Sequence, residues 1–240
     1  MRFLVTRPTL DAARTSEKLV ARGYQTLADP VVEIEPVTQN IPQGEFVALV
    51  FTSANAIRVA SKIASLKPFW KLPVFAVGTH TAEVAREHGF KDVAAASGDV
   101  NALGALLLAE LRGSIGLREP PHVLHLAGED RAGDLAGVLM QSEIRIDVAT
   151  IYRARAASAL KPQTIEAFRG GKINGVLHYS ERSAATFVQL AEAGGVGPEI
   201  NKVRHFCLSQ AVATPLKLYG ATTAVAVVPE EDALLELLEP

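Results

Sequence analysis

The chain has 240 residues, 48% of them hydrophobic, so it can form two modest domains or one large one with a buried core. Its formal net charge of −2 excludes a general positive field that would attract nucleic acid or anionic lipid. The single cysteine excludes an internal disulfide, no run reaches the roughly 18 apolar residues of a membrane span, and MRFLVTRP lacks the apolar region of a signal peptide. We therefore expect a cytoplasmic protein that binds neither nucleic acid nor membrane.

Short apolar runs alternate with segments of helical spacing along the chain. In the segment 100–112, for example, Leu103, Leu106, Leu107 and Leu111 mark one face of a helix. This alternation predicts an α/β protein with βαβ units and parallel sheets that are buried on both faces. The predicted strands are 3–5, 24–28, 46–51, 74–77, 91–95, 123–127, 176–179, 203–208 and 222–227, and the helices include 11–22, 55–65, 80–88, 100–112 and 132–141.

The predicted elements repeat in the order short, long, short, long. A short β-α-β unit at 1–30 is followed by a longer unit at 46–112, and the same succession recurs at 121–150 and 174–239. This order suggests two similar domains, each with a parallel sheet flanked by helices.

Two segments, 31–39 and 148–156, alternate like the strands of a two-stranded ribbon. The first carries Glu33 and Glu35 and the second carries Arg153 and Arg155, so opposite charges would meet if the strands paired antiparallel. This favours a chain that leaves the first domain near residue 35 and returns near 155. A sequential split at the loop 112–122 remains the alternative.

Polar and glycine-rich turns follow the predicted strands. Ligands bind at the carboxyl ends of the strands in open parallel sheets, and helix N-termini attract anions. If two domains face each other, these turns would converge on one cleft suited to a ligand with many carboxylates. The turns are TRPTLD (6–11), TSAN (52–55), GTHT (78–81), GEDR (128–131), YSERS (179–183) and SQA (209–211), with Arg7, Arg131 and Arg182 placed to add bidentate contacts.

A simpler interpretation of the hydroxyl groups stays open, because serine and threonine commonly cap helices. It applies to each of Ser53, Thr81, Ser180 and Ser209. No nucleotide-binding glycine pattern and no metal-ligand spacing of histidines occur in the sequence. Tyr152 lies in the second ribbon segment, either as a packing residue or beside the cleft.

The ordered motifs together resemble the uroporphyrinogen-III synthase family. They are FLVTRP (3–8), VFTSANAI (50–57), AVGTHTA (76–82), VLHLAGEDR (123–131), ATIYRAR (149–155), VLHYSERSAATF (176–187) and FCLSQAVA (206–213). The resemblance implies two flavodoxin-like α/β domains joined by a two-stranded β-ladder, with the chain crossing twice. It assigns residues 1–35 and 155–240 to domain 1 and 40–150 to domain 2, with connectors at about 31–40 and 148–157.

The resemblance also implies the activity. Members of this family are hydro-lyases that cyclise hydroxymethylbilane, a linear tetrapyrrole with eight carboxylates, to uroporphyrinogen III. The terminal hydroxyl leaves as water, ring D is attacked at its substituted carbon, and the ring is inverted through a spiro intermediate. No metal or organic cofactor takes part, and we expect a monomer with at most transient contact with the preceding pathway enzyme.

Carried over residue by residue, the resemblance makes Tyr152 the group that assists departure of the hydroxyl. Val212 departs from the pattern, because it replaces a hydroxyl residue in the turn after Ser209. The predicted substrate-binding residues are Arg7, Ser53, Ala54, Asn55, Gly78, Thr81, Arg131, Ser180, Arg182, Ser183 and Ser209. The competing hypotheses are a two-domain small-molecule binding protein without catalytic activity and a nucleotide-using transferase.

Overall fold

The computed structural model describes residues 1–37, 41–114, 119–131 and 133–238. Strands and helices alternate, which confirms the predicted α/β class with parallel sheets flanked by helices. The strands are β1 (Arg2–Val5), β2 (Gln25–Ala28), β3 (Val32–Pro36), β4 (Ala48–Phe51), β5 (Val74–Val77), β6 (Val93–Ala96), β7 (His122–Gly128), β8 (Arg145–Ala156), β9 (Gly175–His178), β10 (Arg204–Cys207) and β11 (Thr223–Val225). The α-helices are α1 (Thr9–Ala21), α2 (Ala54–Ala60), α3 (Gly78–Glu87), α4 (Val100–Glu110), α5 (Leu135–Leu139), α6 (Pro162–Arg169), α7 (Glu181–Ala193), α8 (Gly197–Ile200), α9 (Gln210–Tyr219) and α10 (Glu231–Glu236).

Two of the predicted helices are shorter than their sequence pattern. The segment 55–65 is helical only to Ala60, and a separate 3₁₀ helix, Ala64–Phe69, follows it and contains Pro68. The segment 132–141 contains α5 alone, because Gly133 has φ +95 and the Asp134 side chain then accepts a hydrogen bond from the Gly137 N–H to start the helix. Residue 132 of this prediction lies outside the described part of the chain.

The chain divides into two compact units. Unit 1 comprises Met1–Glu33 and Arg155–Pro240, and unit 2 comprises Ile34–Ala154. The chain therefore leaves unit 1 after Glu33 and returns to it at Arg155, and the division does not fall in the loop 112–122. Of the segments that bear on the predicted boundaries, residues 38–40 and 115–118 are outside the described ranges.

Unit 1 contains a parallel sheet whose order, over the residues described, is β2-β1-β9-β10-β11. The chain adds β2 on one side of β1 and then β9 to β11 on the other. The order of addition therefore reverses between β1 and β9, and we call this boundary the switch point of unit 1.

Unit 2 contains the same arrangement with a different starting strand. Its parallel strands follow the order β8-β7-β4-β5-β6, with β3 beside β8 at the edge, in the part of the chain that is described. When β7 is counted first, the order matches that of unit 1, with the switch point between β7 and β4. The short units at 1–30 and 121–150 therefore occupy equivalent places in the two sheets.

The ribbon segments expected from the sequence are β3 and the end of β8. In unit 1 the Ala157 N–H donates to the Val31 carbonyl, and in unit 2 the Val37 N–H donates to the Ile151 carbonyl, both at 2.9 Å. The Arg153 Nε donates to the Glu35 carboxylate at 3.0 Å, so these opposite charges do meet as the sequence predicted. Because β8 runs for 12 residues, one strand serves both the sheet of unit 2 and this ladder.

Apolar side chains fill the space between the helices and the sheet of unit 1. Helix α1 buries Ala12, Thr15 and Leu19, whose spacing places them on one face, and the chain turns after it at Gly23 with φ +82. Leu234 of α10 is fully buried in the same core as Leu19. Within the described residues, no helix has both the length and the apolar character needed to cross a membrane.

Two fully buried histidines lie side by side in the sheet of unit 1. The Nε2 of His178 is 3.0 Å from the Nδ1 of His205, and the Nε2 of His205 is 2.9 Å from the Ile200 carbonyl. If both rings are neutral with hydrogen on Nε2, the two contacts are satisfied in a chain toward Ile200. The Nδ1 of His178 then has no partner among the described residues.

We expect unit 1 to lose stability in mild acid. Burial lowers the pKa of His205 to about 4, and burial together with the nearby His205 lowers the pKa of His178 well below its ordinary value. The unfolded chain takes up these protons near pH 6.5, so the free energy of unfolding should fall by about 1.4 kcal/mol per pH unit and histidine between roughly pH 6 and 4.

Urea unfolding at pH 7 and pH 5 measures this effect. In the double variant His178→Leu/His205→Leu, the decrease between the two pH values should be smaller by about 3 kcal/mol than in the unmodified protein. Equal decreases in the two proteins would show that the buried pair does not control the acid sensitivity.

Candidate active site

The predicted site residues of unit 2 lie at the carboxyl edge of four neighbouring strands. Residues 52–55 follow β4, residues 78–81 follow β5, and Arg131 follows β7, while Tyr152 lies on β8. Strands β4 and β7 flank the switch point, where crevices form in open parallel sheets. The parallel pairing of the strands therefore brings all of the predicted residues of unit 2 to one edge.

Tyr152 packs directly on a glycine of the neighbouring strand. Tyr152 is 8% exposed and pairs in register with Gly128, and the Glu129 N–H donates to the Tyr152 carbonyl at 2.9 Å. A Cβ atom at Gly128 would lie 2.7 Å from the Tyr152 Cζ and 2.8 Å from its hydroxyl oxygen. Only the absence of a side chain at residue 128 leaves room for the phenol.

The Tyr152 phenol is neutral over the physiological pH range. Burial raises its pKa above the ordinary value, and a hydrogen bond with the Ser53 side chain offsets part of the rise. A buried, neutral phenol can donate a hydrogen bond or a proton to a leaving group. Tyr152 is therefore the clearest candidate for a proton donor at this edge.

A second polar pair joins β4 to β7. The Thr52 Oγ1 is 3.2 Å from the Nε2 of His125, which is 3% exposed. Burial lowers the pKa of His125 to about 4, and the positive charge of Arg131 acts in the same direction. His125 is therefore neutral near pH 7 and serves as a hydrogen-bonding partner of the Thr52 hydroxyl.

The helix starts of unit 2 differ in how their N–H groups are satisfied. Ser53 caps α2, because its Oγ accepts from the Asn55 N–H at 3.2 Å. In the described structure, no side chain caps α3, which begins at Gly78 with φ +75. The N–H groups of a first turn have no partner within their own helix, so the start of this ten-residue helix directs such donors toward the edge.

The remaining predicted residues of these two helices have clear places. Ala54 is the buried first residue of α2, and the Asn55 Oδ1 accepts from the Arg58 guanidinium at 3.0 Å. Thr81 is buried in α3, one turn behind Gly78, so it does not cap the helix.

In unit 1 the predicted serines cap helices. The Ser180 Oγ accepts from the Ser183 N–H at 3.2 Å and also donates to the Ser183 Oγ at 2.9 Å. The Ser209 Oγ accepts from the Val212 N–H at 3.4 Å. The backbone N–H of residue 212 is therefore paired, although valine replaces the hydroxyl residue of the family pattern there. Arg182 is exposed in the first turn of α7.

Arg7 is engaged inside unit 1. Its Nη1 donates to the Glu231 carboxylate at 2.8 Å and to the Thr15 hydroxyl at 3.0 Å. Its guanidinium carbon lies 3.9 Å from the centre of the Tyr179 ring, and its side chain is only 12% exposed. The Asp11 carboxylate lies 3.9 Å from the same guanidinium, so the carboxylates beside this arginine belong to the chain itself.

Each unit brings its own set of predicted residues together at one sheet edge. Unit 2 holds Tyr152, Ser53, Ala54, Asn55, Gly78, Thr81 and Arg131, and unit 1 holds Arg7, Ser180, Arg182, Ser183 and Ser209. Nowhere in the described ranges do three or more histidine, cysteine, aspartate or glutamate side chains form a group that could hold a metal ion.

No individual role was predicted for His125 or Glu231, and Thr52 and Gly128 were predicted only as members of the turns 52–55 and 128–131. A histidine inside the apolar run VLHLAG was one available signal for His125, since a buried polar side chain requires a partner. Gly128 ends the same strand, but its steric role depends on the register of β8, which the sequence does not reveal. Glu231 lies 224 residues from Arg7, so no local pattern links them.

Comparison with known proteins found a family model and several solved structures that match this chain. The family model described as uroporphyrinogen-III synthase HemD matches residues 13–236. The crystal structure of uroporphyrinogen-III synthetase from Helicobacter pylori is 21% identical and has a TM-score of 0.65, with 99% of this chain and 98% of that chain covered. A mutant uroporphyrinogen III synthase from the extremely thermophilic bacterium Thermus thermophilus is 16% identical with a TM-score of 0.53, covering 99% and 96% of the two chains. At these identities the two structures show a shared fold.

Proposed function

The chain belongs to the uroporphyrinogen-III synthase family, and we propose that it is the hydro-lyase that converts hydroxymethylbilane to uroporphyrinogen III. The observation that carries the proposal is the family match over residues 13–236. The polar carboxyl edge of unit 2, with a neutral phenol beside the switch point, supports it. The proposed reaction is a step of tetrapyrrole, and hence haem, synthesis.

The proposed role of Tyr152 is to assist departure of the terminal hydroxyl group. The phenol donates a hydrogen bond to this oxygen as the C–O bond breaks. The hydroxyl leaves as water, and the proton that it gains is balanced by loss of the pyrrole N–H proton. The pyrrole that remains is an electrophilic azafulvene, which ring D attacks at its substituted carbon to form the spiro intermediate. Cleavage of the old bond and closure at the other position of ring D complete the inversion.

Substrate carboxylates are proposed to bind at the helix starts. In unit 2 the first turn of α3 at Gly78 provides N–H donors, and Ser53, Asn55 and Arg131 lie at the same edge. In unit 1 the start of α7 provides Arg182 and the hydrogen-bonded hydroxyl groups of Ser180 and Ser183. Holding the two ends of the linear substrate in position would itself contribute a large part of the rate. The proposal requires no cofactor. The proposed binding surface also includes Ala54, Thr81 and Ser209.

The test supplies freshly prepared hydroxymethylbilane and separates the products by isomer. The proposal predicts uroporphyrinogen III at a rate proportional to protein concentration, while heat-denatured protein yields the uninverted isomer of spontaneous closure. Only the uninverted isomer, at the rate seen without protein, would overturn the proposal and leave a binding protein without catalytic activity.

Arg182→Ala is expected to raise KM by roughly 5- to 10-fold and to change kcat little. An arginine that binds a carboxylate in both the ground state and the transition state contributes uniform binding, which appears in KM. Steady-state kinetics of the isomer-specific reaction measures the effect. Arg169→Ala is the matched control, because Arg169 is an exposed arginine of unit 1 at the end of α6 rather than at the carboxyl edge. An unchanged KM for Arg182→Ala would remove this residue from the binding surface.

A further inference from the structure

One carboxylate of unit 1 is surrounded by four donors. The Glu231 Oε1 accepts from the Arg7 Nη1 at 2.8 Å, from the Thr15 hydroxyl at 2.7 Å and from the Tyr179 hydroxyl at 3.0 Å. Its Oε2 is 2.8 Å from the Lys18 Nζ. The four donors come from the turn that follows β1, from two positions of α1 and from the turn after β9, so separate parts of unit 1 converge on one anion.

The surroundings of this carboxylate are those of a built anion site. Thr15 is fully buried, and the side chains of Arg7 and Glu231 are 12% and 17% exposed. Burial alone would raise the pKa of Glu231, but hydrogen bonds from Lys18 and Thr15 and the positive charges of Arg7 and Lys18 outweigh it and lower the pKa to about 2. Glu231 is therefore ionised whenever the protein is folded near neutral pH.

The donors also occupy a specific place in the fold. Arg7 lies two residues after the end of β1 and Tyr179 directly follows β9, and these two strands flank the switch point of unit 1. The guanidinium of Arg7 stacks on the Tyr179 ring at 3.9 Å, so the two turns contact each other above the sheet edge. The place where an open α/β sheet receives a ligand is thus filled by a group of the same chain.

The carboxylate is carried by a helix that is fixed in the core. Glu231 is the first residue of α10, and Leu234 and Leu235 of this helix are fully buried with Phe3 and Leu19. A ligand carboxylate could reach Arg7 only if this apolar packing were broken. Glu231 is therefore better suited to holding the two turns in place than to being displaced by a ligand.

We propose that Arg7, Thr15, Lys18 and Tyr179 form a carboxylate-binding site whose ligand is the Glu231 side chain, and that Glu231 is thereby a positioning residue for the turns of residues 6–8 and 179–180. Arg7 then acts inside unit 1, and substrate carboxylates bind at the start of α7 without its guanidinium. The existence of the site does not depend on the proposed function, whereas its effect on substrate binding rests on that function.

Removal and replacement of the carboxylate test the site directly. Glu231→Ala should lower the midpoint of thermal unfolding by about 10 °C, because Arg7 and Lys18 each lose the carboxylate oxygen that lies 2.8 Å from them. Asp11, at 3.9 Å from Arg7, and the exposed Asp232, at 3.2 Å from Lys18, remain as weaker partners. Sodium acetate should restore at least about a third of this loss relative to sodium chloride at the same ionic strength, since the anion can occupy the emptied site. Glu230→Ala is the matched control, because Glu230 is the preceding, exposed acidic residue. Equal effects of acetate on the two variants would overturn the proposal.

The variant Glu231→Gln tests the positioning role with the side-chain shape kept. If Glu231 holds the turns, Glu231→Gln should raise KM for hydroxymethylbilane by roughly 3- to 10-fold with kcat nearly unchanged. If Glu231 instead competes with substrate for Arg7, the same variant should lower KM, and this result would overturn the positioning role. Failure of the unmodified protein to form uroporphyrinogen III would refute the proposed function, while the acetate experiment would still decide whether the site exists.

Discussion

Tyr152→Phe is expected to slow formation of uroporphyrinogen III by roughly 10²- to 10⁴-fold and to leave the fold intact. Phenylalanine keeps the ring that packs on Gly128 and removes only the hydroxyl, which is the group that can donate to the leaving oxygen. The loss should be incomplete, because the remaining residues still hold the substrate ends in position. Single-turnover kinetics with isomer analysis measures the rate without interference from product release.

The matched control is Tyr24→Phe. The Tyr24 hydroxyl donates to the Leu238 carbonyl at 3.1 Å in unit 1, so this variant also removes one tyrosine hydroxyl from a partly buried position, but away from the carboxyl edge. Thermal unfolding of both variants should differ little from that of the unmodified protein. Unmodified turnover in Tyr152→Phe would reduce Tyr152 to a packing residue of β8.

The pH profile provides an independent check on the same residue. Because burial raises the pKa of Tyr152 above its ordinary value of 10, the phenol keeps its proton through the neutral and mildly alkaline range. Any fall in kcat caused by loss of this proton should therefore occur above pH 10. A decrease in kcat that is centred near pH 8 and vanishes in Tyr152→Phe would contradict the assignment of a neutral donor.

The sequence predicted the fold well because its signals are local. Buried parallel strands such as β4 and β5 read as continuous apolar runs. The helix starts after β4 and β9 carry the capping residues Ser53 and Ser180. Each of these features depends on a few adjacent residues. The ion pair between Arg153 and Glu35 could be anticipated because both ribbon segments show an alternating pattern with opposite charges.

The site was less predictable because its contacts depend on register and on distant residues. Nothing local to Arg7 indicates that Glu231, from the last helix, binds its guanidinium. Arg7 was predicted to contact substrate because it follows β1, and the structure does place it after this strand. Its position alone does not reveal that Glu231 binds it. Tyr152 was predicted as a catalytic residue from its place in the ribbon and from the family resemblance. Only the register of β8 shows that its ring contacts Gly128.

Gly128→Ala should reduce the rate nearly as much as removal of the phenol hydroxyl, by roughly 10²-fold, although it changes no polar group. The added methyl group would lie 2.7 Å from the Tyr152 Cζ and 2.8 Å from its hydroxyl oxygen, distances that van der Waals repulsion forbids. The Tyr152 carbonyl accepts a hydrogen bond from the Glu129 N–H, which holds the Tyr152 backbone in place. The ring must therefore rotate, or the two strands must separate. Either movement displaces the hydroxyl by enough to lose a proton-transfer contact.

The stability of Gly128→Ala should fall by about 1–3 kcal/mol, as expected for overpacking in a core. Gly44→Ala is the control within unit 2, because a Cβ at Gly44 would meet its nearest neighbour at 3.4 Å, an ordinary contact, and should change both rate and stability little.

A double-mutant cycle separates the steric effect on Tyr152 from a general disturbance of the sheet. In a Tyr152→Ala background the clashing ring is absent, so Gly128→Ala should cost little stability and should reduce the residual rate by less than about twofold. If Gly128→Ala lowers the rate and the free energy of unfolding by the same amounts in both backgrounds, its effect does not act through the phenol. Non-additive effects on rate and stability would instead show that glycine is needed at residue 128 because the Tyr152 ring packs there. The two neighbouring strands would then act together at this edge.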